Sequence, residues 1–124
     1  IDFTLAENLE HERLMELIDE NALIIDWLNP NFGIYGVFSI EAMASGRAVI
    51  CTLTDTLYEK YDLPIINCSP HELSSTIRDI YSDREHLVDK GKSGYDFVHK
   101  CHDSVDIAKK VIKKYESILV GKND

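Results

Sequence analysis

The chain has 124 residues, 44% of them apolar and 28% charged, with 13 Lys+Arg against 22 Asp+Glu for a formal net charge of −9. That length supports one buried core, and the apolar share is too high for a disordered polymer. An acidic surface repels polyanions, so no nucleic-acid partner is expected, and no apolar run reaches the ~18 residues of a membrane span.

Cys51, Cys68 and Cys101 are odd in number and far apart, without a C-x-x-C pair. A disulfide framework is therefore not expected, and a reducing, cytoplasmic setting is. No signal peptide is visible. His99, Cys101 and His102 form an H-x-C-H cluster, but zinc needs about four ligands and no second cluster supplies the rest. No metal or cofactor is expected. Lys109, Lys110, Lys113 and Lys114 read as the solvated face of a helix rather than a phosphate or lipid patch.

The chain opens on Ile1 rather than Met, with a strand-like piece at once, which reads as a domain truncated at its N-terminus. Residues 1–5 are predicted as an edge or cut strand. Residues 10–20 form a helix with Leu14, Leu17 and Ile18 at helical spacing. Residues 22–28 hold the apolar run of a strand buried on both faces, broken at Asn29-Pro30-Asn31. A helix over 36–45 follows, closed by Gly46 as its C-terminal cap.

Residues 48–53 give the next strand, followed by a loop containing Asp55, Tyr58 and Asp62. Residues 64–67 are a short strand. Ser69-Pro70-His71-Glu72 is a helix start with Ser as N-cap, Pro at the first position and Glu completing a capping box. That helix turns Leu73, Ile77 and Ile80 inward. Asp83 opens another helix in which Gly91 and Gly94, at ~1 kcal/mol each, mark either a break or a close helix contact. Asp103 opens the last helix, with Val105, Ala108, Ile112, Tyr115 and Leu119 along one stripe. Residues 1–120 thus make a partial α/β domain, a Rossmann-like parallel sheet with flanking helices, and residues 121–124 a frayed, disordered tail. There are no internal repeats.

One segment carries chemistry. On a helix from Gly36, Val37, Phe38, Ile40, Ala42, Met43 and Ala44 leave few polar directions, as in a buried helix. Glu41 sits among them. A buried carboxylate needs donors, and two adjacent sugar hydroxyls supply two, as in dinucleotide-binding folds. The competing reading is an open edge where Glu41 is merely solvated. Gly33 and Gly36 flank Ile34-Tyr35 after a strand, a turn that aims backbone N–H groups and a helix dipole at phosphate. Such glycines also serve ordinary tight turns. Asp26 and Asn31 flank the same strand end, where capping or turn duty is expected. His11, His71 and His86 fall on exposed helix faces and read as solvated.

Ile40-Glu41-Ala42-Met43-Ala44-Ser45-Gly46-Arg47-Ala48-Val49-Ile50 resembles the E-A-M-A-x-G-x-P-V-I signature of group 1 glycosyltransferases, retaining enzymes of the GT-B fold similar to glycogen and sucrose synthases. Ser69-Pro70-His71-Glu72-Leu73 resembles the family's helix after a short strand, and Gly91-Lys92-Ser93-Gly94-Tyr95 its G-x-x-G-r; coverage runs from about Glu10 to Leu119. The resemblance implies the C-terminal, donor-binding domain of a hexosyltransferase acting in polysaccharide or glycolipid synthesis. It implies a nucleotide-sugar donor held by Glu41 at the ribose, with the backbone of Tyr35, Gly36 and Val37 near the phosphates and sugar. Catalytic residues are unassigned. The acceptor, a glycan, a lipid-linked or a small molecule, would bind a missing N-terminal domain, and the whole protein would be compatible with peripheral membrane association. The family's E-x7-E pattern has its first Glu where this chain has Gly33, and its basic phosphate pair lies upstream. Two other readings follow: a degenerate, non-catalytic domain acting as scaffold or regulatory subunit, and a nucleotide-sugar epimerase.

Overall fold

A computed structural model describes residues 1–121. Its elements alternate as helix α1 (His11–Glu20), strand β1 (Leu23–Ile25), α2 (Val37–Ala44), β2 (Ala48–Cys51), α3 (Asp55–Tyr61) and β3 (Ile66–Asn67). A 3-10 turn (Pro70–Glu72) leads into α4 (Leu73–Ser82), followed by α5 (Arg84–Cys101) and α6 (Ser104–Val120). The strands form one parallel sheet in the order β1-β2-β3, with Ile24 opposite Val49 and Ile50 opposite Ile66. The protein is α/β, with a small three-stranded parallel sheet and flanking helices.

The sheet divides the core by strand alternation. Ile24, Val49 and Cys51 face a cluster with Ile18, Ala42, Met43 and Val98, so α1, α2 and the end of α5 cover that side. Ile50 faces the other way, toward Ile80, with Ile77 and Leu87 from α4 and α5. All four β2 residues are buried. No helix of the described residues is long and apolar enough to cross a membrane.

The local signals at helix ends are realised. α2 ends with Gly46 at φ +73°, its N–H donating to Met43 O, and Arg47 N–H donating to Ala42 O. These two bonds make a Schellman motif, which needs a left-handed residue that glycine supplies without strain. Glu72 Oε2 accepts from the Ser69 N–H at 3.3 Å and from its hydroxyl at 2.6 Å, the expected capping box. Asp83 caps α5 through the His86 N–H, and Asp103 caps α6 through Val105 and Asp106.

Four expectations are corrected. Residues 1–5 are not a strand: no backbone hydrogen bond reaches them, although they line an apolar groove of about 870 Å³ with β1, Leu17 and Ile80. Apolar alternation at Ile1, Phe3 and Leu5 makes a strand only where a neighbour is in register to pair. The loop at Asp55 and Asp62 is instead α3, capped by the Thr54 hydroxyl and stopped by Asp62 at φ +46°, with Tyr58 against the core.

Gly91 and Gly94 do not interrupt α5, which runs unbroken for 18 residues. The close helix contact is the reason for both. A Cβ on Gly91 would stand 2.3 Å from Gly46 O, and one on Gly94 2.9 Å from Met43 Cγ. The stripe on α6 lies on a helix without a buried residue, and Val105, Ile112, Tyr115 and Leu119 are exposed. Of the expected tail, Gly121 follows α6 as its C-cap, and residues 122–124 lie outside the described residues.

Two stability predictions follow from these contacts. Gly91→Ala gains about 1 kcal/mol of helix propensity but forces a methyl onto a backbone carbonyl, an overpacking cost of about 1–3 kcal/mol that the site has little room to relax. The variant is expected to lose up to about 2 kcal/mol net, read from the urea midpoint. The Ser69 bonds hold the Glu72 carboxyl below the ordinary carboxylate range. A depressed folded pKa stabilises above the unfolded value of ~4.3 and is lost as pH falls through the folded one. Glu72→Ala is therefore less stable than wild type at pH 7, with a gap that closes on acidification below about pH 4 in parallel melts.

Candidate functional site

The loop between β1 and α2 lies across the carboxyl ends of β1 and β2, where ligands of open parallel sheets collect. Asp26 N–H continues the ladder to Ile50 O, and Thr52 N–H donates to Trp27 O. Phe32 and Gly33 N–H groups fold back to Asn29 O, and Gly33 O accepts from the Thr54 N–H at 2.8 Å. Gly33 has φ +57°, and a Cβ there would stand 2.4 Å from Thr54 Cγ2. A glutamate at this position would meet both left-handed strain and a steric block. Gly33 thus stands in a backbone that a side chain does not fit. Trp27 and Phe32 stack edge to face at 4.5 Å on the exposed rim of this loop.

Gly36 is the N-cap of α2 and offers no side-chain bond. The Val37, Phe38 and Ser39 N–H groups therefore present the positive end of the helix. Asp26 partly fills that space. Its buried carboxylate accepts from the Ser39 hydroxyl at 2.5 Å, and Oδ2 stands 3.8 Å from where a Gly36 Cβ would be. The buried Asp26 side chain is thus held by Ser39 of α2, and Asn31 N–H donates to Asn29 Oδ1 in a local turn.

Tyr35, Gly36 and Val37 follow one another at the start of α2, and Glu41 stands on its second turn. Val37 and Glu41 lie along one side of α2, since i and i+4 share a face, and Gly36 is its N-cap. Val37 is 70% exposed. The Glu41 side chain retains 26% exposure, so α2 is not buried all round; Ser39, Ala42 and Met43 take the core side. The Tyr35 side chain turns away, packing against Phe97 and bonding its hydroxyl to His102 Nε2 at 3.1 Å. Only its backbone remains beside the glycine turn. Burial raises the Tyr35 pKa and lowers that of His102, favouring the neutral pair. None of the four lines the large groove, which belongs to the free edge of β1.

One residue of this site was expected to be merely solvated. His11 Nε2 lies 2.7 Å from Glu41 Oε1, and because an ionised carboxylate only accepts, the ring N–H donates. The available signal was the stripe His11, Leu14, Met15 and Ile18, which places His11 above the face that α1 packs onto the core. His71 and His86 are exposed as expected. His99 and His102 turn to Tyr95 O and Tyr35 respectively, and no three metal-ligating side chains converge among the described residues.

Comparisons with protein-family models, with curated proteins and with solved structures find no match to this chain.

The strand-end chemistry also sets thiol reactivity. Burial, reinforced by the Asp26 charge, pushes the Cys51 thiol up to about 11, so it holds almost no thiolate at neutral pH. Cys68 is buried and Cys101 exposed. Alkylation of the native protein at pH 7.5 is expected to label Cys101 alone, with Cys51 and Cys68 labelled only after denaturation, as read by peptide mass spectrometry.

Proposed function

We propose that this chain is a nucleotide-sugar-binding domain, in whole or part, from a retaining GT-B glycosyltransferase that transfers a hexose to a glycan, glycolipid or small acceptor. The observation that carries the reading is Glu41. Its carboxylate stands partly open on α2, one turn beyond an uncapped glycine N-terminus at the carboxyl ends of parallel strands. A vicinal diol of the donor's ribose offers that carboxylate two donors, while the helix tip faces the phosphates. The E-A-M-A-S-G resemblance points the same way and also rests on Glu41.

Asp26 sets a condition on this reading. Its charge lies close to the helix tip, so a bound diphosphate needs compensating cations. On the proposed reading these come from the family's upstream basic pair, and the acceptor site from a further N-terminal domain. The parent protein would act in the cytoplasm, at the membrane surface where its acceptor is lipid-linked. A second reading, a non-catalytic scaffold or regulatory domain, is favoured by Gly33, whose conformation and contact with Thr54 leave no place for the usual sugar-contacting Glu. No observation favours an epimerase.

Titration calorimetry with UDP-, GDP- and ADP-sugars tests the site. Loss of the charge-assisted bonds of Glu41 is worth about 1.5–3 kcal/mol, so Glu41→Ala should weaken the preferred donor by about 10- to 100-fold. Equal affinity in the variant removes the assignment. Binding without sugar transfer to any acceptor selects the scaffold reading.

A further inference from the structure

α1 begins at His11, and its N-cap Glu10 makes no side-chain cap bond. The helix is seated by Leu14, Met15 and Ile18 against the cluster that also holds Phe38 and Ala42 of α2. His11 is one turn before Leu14 and Met15 on the same stripe, so the packing that buries Ile18 also carries the imidazole over the second turn of α2. A second contact fixes the far end of the helix. Arg47, just beyond α2, donates to Asp19 O at 2.8 Å and lies 3.9 Å from the Asp19 carboxylate. α1 is therefore tied to the α2 region at both ends, with His11 on Glu41 at one and Arg47 on Asp19 at the other.

We infer that His11 is a positioning residue for Glu41, holding one carboxylate oxygen so that the other faces a ribose diol. The inference rests on the proposed nucleotide-sugar reading. Glu41 has two oxygens and about four acceptor sites, and His11 is its only donor among the described residues, at Oε1. Oε2 and the remaining lone pairs are free for hydroxyl donors. An unheld glutamate on a half-open helix face samples several rotamers, and freezing one on binding subtracts from affinity. His11 fixes it in advance. The imidazole is itself 69% exposed and contributes nothing to the core, so its loss leaves the fold intact.

The test uses UDP, GDP and ADP as probes, each beside its 2′-deoxy counterpart, on the full-length parent protein as wild type, Glu41→Ala, His11→Ala and His11→Gln. Gln places an amide N–H near the position of Nε2 and serves as the conservative rescue. His11→Ala is expected to weaken the best-bound riboside diphosphate about 2- to 10-fold and to weaken the 2′-deoxy counterpart, which keeps only the 3′-hydroxyl, by less. His11→Gln should recover most of the loss, and melting temperatures should agree across the set. A loss equal for ribo and deoxy probes overturns the positioning role. So does wild-type affinity in His11→Ala alongside a loss in Glu41→Ala, an outcome that leaves the site reading standing. Unchanged affinity in Glu41→Ala, or no binding of any probe by wild type, removes both.

Discussion

The orientation of α2 depends on bare backbone contact between two helices and a turn. Gly91 of α5 lies against the Gly46 carbonyl, and Gly94 lies against Met43, so α5 approaches the α2–β2 turn as closely as its backbone permits. Gly46, left-handed, is what lets the turn present that carbonyl. Met43 is thereby driven fully into the core beside Val49 and Cys51. α1 closes the opposite flank. Between the two helices, one strip of α2 is left open, and it carries Val37 and Glu41. The acidic residue is thus accessible because its neighbours are committed elsewhere.

That arrangement separates what the residue order reveals from what it hides. Caps are local: Ser69 with Glu72, Asp83, Asp103 and Gly46 act within a few residues of themselves, and each was legible. β2 was legible as a strand, whereas the burial on both faces expected of residues 22–28 holds only in part, since Leu23 and Ile25 are half-buried on the edge strand β1. α3 was not legible, since seven residues between Thr54 and Asp62 offer too little periodicity to separate helix from loop. Gly91 and Gly94 were ambiguous for another reason. Their local cost is the same whether a helix breaks or packs closely, and only Gly46 and Met43, more than 40 residues away, decide. The apolar wheel of α2 misled in the same way, because a list of apolar residues does not say that α1 and α5 leave Val37 uncovered.

The candidate site shows the same division. Glu41 and the glycine turn could be picked out from a short motif, whereas His11 lies 30 residues from Glu41 and meets it only through helix packing. Tyr35 is adjacent to Gly36 in sequence, yet its ring belongs to the contact with Phe97 and His102. Proximity along the chain predicted the backbone here but not the direction of the side chain.

The balance of charge gives the proposed site its character. Two like charges 4 Å apart repel by about 4 kcal/mol at the effective dielectric of a protein surface, while a helix terminus contributes about 0.3–1 kcal/mol. On the proposed reading, a phosphate at the tip of α2 would meet repulsion from Asp26 as well as the attraction of the dipole, so it would need further cations. A diol contact at Glu41 would carry no such penalty, because hydroxyls would donate to a carboxylate that His11 already holds at one oxygen. On the proposed reading, recognition by these residues is therefore led by the sugar hydroxyls, and the diphosphate is stabilised by cations placed against the same helix tip.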